Sequence, residues 1–174
     1  MNVIFVDFDG VLNSKQHFLM VKEKEVKGKD TPKEADLEFM KSNTNPNNMW
    51  CLKYILDNVP NLKIVLSTSW RNHFEINLFK ELFQFYGLDA ERIIGKTPKK
   101  FSSERVHEIH MWLDDQLHSP DTWVALDDHP IFQLEYRDKQ NEYLTDSWVG
   151  LTILDSFKII KHFNKDFKEP VILI

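Results

Sequence analysis

The chain has 174 residues, 42% hydrophobic and 28% charged, and its 22 basic and 27 acidic side chains give a formal charge of −5. That length supports one substantial core and is too short for two ordinary domains, so one domain (residues 1–174) with an insertion is expected; the acidic balance argues against a broad groove that coats nucleic acid, while leaving room for a local basic rim that grips one phosphorylated end. No stretch approaches the ~20 apolar residues of a membrane span, the apolar run at the start lacks the length and basic leader of a signal peptide, and the single Cys51 excludes an internal disulfide, so a reducing, cytoplasmic setting is expected.

Val3 to Val6 form an apolar run without polar alternation, the pattern of a strand buried on both faces. It stops at Asp7. Asp7 and Asp9 flank Phe8, and an extended chain puts both carboxylates on one side. Gly10 lets the backbone turn. Two like charges this close call for a cation, or for a proton on one of them. An isolated Asp-x-Asp-Gly also reads as a polar turn after a core strand. The match here is longer: VIFVDFDGVLN, Val3 to Asn13, resembles the first motif of the haloacid-dehalogenase-like (HAD) phosphohydrolase superfamily. The resemblance implies an α/β fold, a Rossmann-like three-layer parallel sheet with a small flap or cap inserted after the first strand, and further motifs downstream.

From Ser14 to Asn48 the pattern slackens. Lys22 to Asp30 alternates in sign, Gly28 and Pro32 break it, and a run of Ser, Asn, Thr and Pro follows. This is either a solvated loop or the flap that the resemblance implies, with His17, Phe18, Leu19 and Met20 as its apolar foot.

Met49, Leu52, Ile55, Leu56 and Val59 fall at helical spacing, which predicts a helix over Met49 to Asn58 ended by Pro60. Leu62 to Leu66 reads as a second buried strand, ending at Ser67 and Thr68. Such hydroxyls read either as helix caps or as groups that bind phosphoryl oxygens, and the superfamily's second motif implies the latter. Trp70 and Arg71 complete the string VLSTSWR. The Arg can clamp an oxyanion and the Trp can stack on a base, or the two can be a half-buried ring and an ion-paired cation. VLSTSWR resembles the HAD domain of composite RNA-repair proteins and, more loosely, the phosphatase half of polynucleotide kinase-phosphatases, and this resemblance brings RNA into view.

Asn72 with Glu75 suggests a capping-box-like start to a helix whose stripe is Leu78, Phe79, Leu82, Phe83 and Tyr86, closed by Gly87. A short strand is expected at Arg92 to Ile94, then the basic stretch GKTPKK. A helix starting near Ser103 would carry Val106, Ile109, Trp112, Leu113 and Leu117 on one face. The superfamily's third motif is a Lys or Arg beside the aspartates. Arg105 is the first choice, with Lys96, Lys99 and Lys100 as competitors. His107 and His110 lack a third metal ligand at a suitable spacing and read as a surface pair.

Trp123 to Leu126 predict a third buried strand ending in Asp127 and Asp128, which resemble the fourth motif in its paired-aspartate form. Ligands in open α/β sheets bind at the strands' carboxyl ends, so residues 7, 67, 105 and 127 should meet there. Trp148 to Ile153 read as a last strand, Asp155 to Phe163 as a helix, and Val171 to Ile174 as an apolar tail.

The resemblance implies a phosphatase acting through an aspartyl-phosphate. Asp7 is the nucleophile and Asp9 the general acid and base. Ser67, Thr68, Arg105, Arg71 and Lys99 are the phosphate-binding candidates. Asp7, Asp9, Asp127 and Asp128 are the candidate ligands of Mg2+. An acid at position 9 favours phosphate esters, because a halide leaves without a proton. A receiver domain of a response regulator also gathers acids, a hydroxyl and a lysine, but in the reverse chain order. A phosphorylated RNA or DNA end is the first expected substrate. A nucleotide or sugar phosphate is the second, and a non-catalytic binding module is the alternative from another class.

Overall fold

A computed structural model describes residues 1–22, 32–99, 104–132 and 137–170. Five strands, β1 (Asn2–Val6), β2 (Leu62–Leu66), β3 (Ile93–Lys96), β4 (Thr122–Asp127) and β5 (Glu142–Leu144), form one sheet in the order β3-β2-β1-β4-β5 with every neighbouring pair parallel. Parallel neighbours need crossovers, and helices supply most of them. These are α1 (Lys15–Lys22), α2 (Pro32–Asn43), α3 (Pro46–Asn58), α4 (Ile76–Phe85), α5 (Arg105–Asp114) and α6 (Ile153–Phe163).

The alternation of strand side chains builds two cores. Ile4 and Val6 join Ile64, Leu66, Val124 and Leu126 on one face, under Leu52 and Ile55 of α3, Phe79 and Leu82 of α4, and Ile159 and Ile160 of α6. Val3 and Phe5 join Val65 and Ala125 on the other face, against Val106, Ile109 and Trp112 of α5. Both faces of β1 are thereby covered, which is why its sequence is apolar from Val3 to Val6. The result is the Rossmann-like α/β architecture that the first motif implied.

Several local expectations are corrected. Trp148 to Ile153 do not form a strand. They make a turn in which Trp148 N–H is accepted by the Asp146 side chain, Gly150 takes φ 74°, and Thr152 caps α6 through a reciprocal pair with Asp155. Trp148 is 52% exposed, so its bulk marks surface and not core. The last strand is the more polar β5, whose edge position asks for burial on one side only. Phe18, Leu19 and Met20 are 41%, 49% and 55% exposed and are no buried foot. His17 instead ties α1 to α2 through Ser42 O at 2.8 Å. Glu75 is the N-cap of α4 without a side-chain cap bond, because Ser69–Asn72 has turned into a separate 3-10 segment. Leu117 lies beyond the end of α5 and is exposed. Most of the charged stretch from Lys22 to Asp30, Lys100 and the tail from Val171 lie outside the described residues.

Candidate active site

Three strands hand their next residue to the same edge while the sheet ladder still holds it. Asp7 N–H donates to Leu126 O at 3.0 Å, Ser67 N–H to Val6 O at 2.9 Å, and Thr145 N–H to Asp127 O at 3.0 Å. A side chain fixed this way keeps its aim without help from a loop. After Asp7 the backbone curls so tightly that Val11, Leu12 and Asn13 N–H all converge on Phe8 O, and Gly10 takes φ 75°. The loop's outward carbonyls are held from elsewhere: Gly10 O by Thr145 Oγ1, Leu12 O by Asn45 N and Val11 O by Leu151 N, each at 2.8 Å.

Asp7 and Asp127 meet over one cation. Arg105, at the first turn of α5, puts Nη1 3.0 Å from Asp7 Oδ2 and 2.8 Å from Asp127 Oδ2, and it also donates to Ser67 O. Among the described basic residues weighed for the third motif, Arg105 forms ion pairs with both Asp7 and Asp127; Lys96 donates to Arg71 O, and Lys99 is exposed beyond β3. Burial raises the Asp7 carboxyl above its ordinary range, against the opposing pull of Arg105 and of hydrogen bonds from Phe8 N–H and Thr68. Burial and the neighbouring Asp7 charge push Asp127 up to about 6. Burial works against the Arg105 cation, but the two carboxylates outweigh it and hold its pKa above the ordinary value. Among the described residues one monovalent cation, Arg105, touches both buried acids, which leaves them short of full compensation.

The hydroxyls divide. Thr68 bonds Asp7, whereas Ser67 Oγ is buried and has no hydrogen-bond partner among the described residues. A buried hydroxyl without a partner is costly and rare, and one beside an Arg is suited to an oxyanion. Arg71, expected as an anion clamp, has other partners: its guanidinium donates to Glu108, Thr68 O and Thr97 O while buried. Trp70 is 7% exposed and packs against Phe8, Phe39 and Phe74, which leaves no open face for a base.

Asp128 bonds the exposed His129 at 2.7 Å, which raises the imidazole's pKa. Asp127, Asp128 and His129 each offer a ligand atom within 4.8 Å of the others. With Asp7 added, the carboxylates are a hard-oxygen set that fits magnesium, and the charge deficit at Asp7 and Asp127 points the same way. A cavity of about 530 Å3 opens beside them, lined by Asp7, Glu104, Arg105, Asp127, His129, Pro130, Ile131 and Phe132. Its apolar wall is fixed by Glu142, which accepts from Ile131 N–H and Phe132 N–H at 2.6 and 2.9 Å.

Sequence reading passed over several of these roles. Asn13 and Trp70 both donate to Asp9, and Glu142 anchors the wall from ten residues away. Asn13, the last residue of the first motif string, and Trp70, within VLSTSWR, were the available signals.

A scan against family models matches residues 3–155 to the HAD domain in Swiss Army Knife RNA repair proteins. No curated protein and no solved structure gives a match.

Proposed function

Since the chain belongs to the family of HAD domains in Swiss Army Knife RNA repair proteins, we propose that it is a magnesium-dependent phosphatase acting on the phosphorylated end of a nucleic acid. The observation that carries the reading is the meeting of Asp7 and Asp127 on Arg105 beside the unpartnered Ser67 hydroxyl. In the first step Asp7 attacks phosphorus in line, a new P–O bond forms, and the ester P–O bond breaks as Asp9 gives its proton to the leaving oxygen. In the second, Asp9 takes a proton from water, the water oxygen bonds phosphorus, and the bond to Asp7 breaks, releasing inorganic phosphate. Ser67 and Arg105 bind the transferring oxygens, and Thr68 orients Asp7. Asp7, the Asp9 main-chain carbonyl and Asp127, with Asp128 alongside, would hold magnesium, whose charge would offset that of the phosphoryl group.

Residues 14–48, which include α1 and α2, are proposed as the flap or minimal cap of a single domain, 1–174. A mononucleotide or sugar phosphate is the second reading, favoured by a cavity within the ~300–1,000 Å3 range of small-molecule sites. Phosphate release from 3′- and 5′-phosphorylated oligonucleotides, set beside release from mononucleotides, separates the two. Activity is expected to disappear with EDTA and in Asp7→Asn. An Asp7→Asn protein with wild-type turnover would remove the nucleophile from the scheme.

A further inference from the structure

Asp9 differs from its neighbour two residues earlier: Asp7 is buried, while Asp9 is exposed. An exposed carboxylate on a turn ordinarily samples several rotamers. Here both oxygens are held. Asn13 Nδ2 donates to Oδ1 at 3.0 Å, and Trp70 Nε1 donates to Oδ2 at 3.0 Å. The two donors are of different kinds. Asn13 belongs to the same tight loop as Asp9. Trp70 comes from the 3-10 segment after β2, and its own position is well determined. Its ring lies 5.1 Å from Phe8, 5.7 Å from Phe39 and 5.9 Å from Phe74, and its backbone N–H donates to Thr68 Oγ1 at 3.3 Å. A buried indole N–H needs an acceptor, and the packing leaves this one aimed at Asp9.

We propose that Trp70 is a positioning residue for Asp9, its indole N–H fixing one carboxyl oxygen so that the remaining position that carries the transferred proton faces the leaving oxygen. This rests on the reading above, in which Asp9 moves the proton. Each carboxylate oxygen has about two acceptor directions, so one donor per oxygen leaves one direction open on each. A carboxyl held in that pose meets the ester oxygen in line for proton transfer; one that rotates freely spends most of its time misaligned. Phe39 comes from α2, so the proposed flap touches Asp9 through a single intervening ring.

Two measurements test this. In the first, the indole N–H resonances of the five tryptophans are recorded, and Trp70 is assigned by its loss in Trp70→Phe. Removing the acceptor in Asp9→Ala should shift the Trp70 proton upfield and leave the other four in place. An unmoved Trp70 resonance overturns the proposal without reference to activity. In the second, turnover is compared on an alkyl phosphate, whose leaving group needs a proton, and on p-nitrophenyl phosphate, whose leaving group needs far less. Trp70→Phe keeps the ring packing and loses the donor. It should lower kcat about tenfold on the alkyl ester, a fraction of the ~10²–10⁴ that a general acid supplies, with KM nearly unchanged and little loss on the aryl ester. Trp70→His restores a ring N–H, should recover part of the loss, and serves as a second variant for both measurements if Trp70→Phe does not fold. Equal losses on both esters, or none, overturn positioning. Wild-type protein that cleaves neither these esters nor a phosphorylated oligonucleotide overturns the phosphatase reading and the proposal with it, whereas an active wild type with an unaffected Trp70→Phe removes the proposal alone.

Discussion

Gly10 shows how one backbone atom set constrains a whole site. Its φ of 75° is open to glycine at little cost, and a Cβ placed there would lie 2.3 Å from Asp128 Oδ2 and 2.5 Å from Asp128 Cβ. Gly10→Ala therefore combines a left-handed strain of about 1–2 kcal/mol with displacement of a carboxylate at the site. For a chain of this size that is a fall in melting temperature of several degrees, measurable by calorimetry. His162 offers a second residue-scale test. Burial lowers its pKa, and Nδ1 lies 3.1 Å from the Tyr143 hydroxyl. Its neutral form is favoured in the fold, so on acidification the unfolded chain takes the proton first. The stabilisation is complete above the ordinary value of 6.5 and is lost as pH falls below it. His162→Gln should flatten the stability profile between pH 7 and 5 in denaturant titrations.

At the scale of elements, α5 is aimed by a buried ion pair. Arg105 and Glu108 stand three residues apart on one face of the helix, and Glu108 meets Arg71, whose other donors hold Thr68 O and Thr97 O. The side chains of the pair are 5% and 10% exposed. Arg71 thus links the turn after β2 to the helix that delivers Arg105 to Asp7. Removing one partner strands the other charge, so Glu108→Gln is expected to cost about 3–5 kcal/mol in urea unfolding. Glu108→Leu combined with Arg71→Met should recover much of that stability, while leaving Arg105 less well aimed and turnover low. The contrast between recovered stability and unrecovered activity identifies the pair as an orienting device.

At the scale of the whole molecule, the sheet brings two carboxylates and one guanidinium to a common edge and leaves them short of positive charge. Magnesium should raise the melting temperature, EDTA should reverse the gain, and Asp127→Asn should abolish it, all readable by thermal shift. Among the described residues no helix is long and apolar enough to cross a membrane.

The architecture was legible because its signals are local: apolar runs at β1, β2 and β4, helical stripes over α3, α4 and α6, and acids or hydroxyls at the strand ends. Parallel topology then brings residues 7, 67 and 127 to one edge, and the chain alone pointed to that much; that Arg105 joins them, and not Lys96, was decided by the fold. Other features depended on which surfaces face each other after folding. The apolar letters of Trp148 and Val149 could not announce a solvent-facing turn leading into the buried Leu151, since burial is a property of neighbours. Nor could VLSTSWR reveal that its Arg turns to Glu108, 37 residues on, and its Trp to Asp9, 61 residues back. A guanidinium and an indole N–H take whichever acceptor the packed fold brings within ~3 Å, and only the tertiary structure decided which that was.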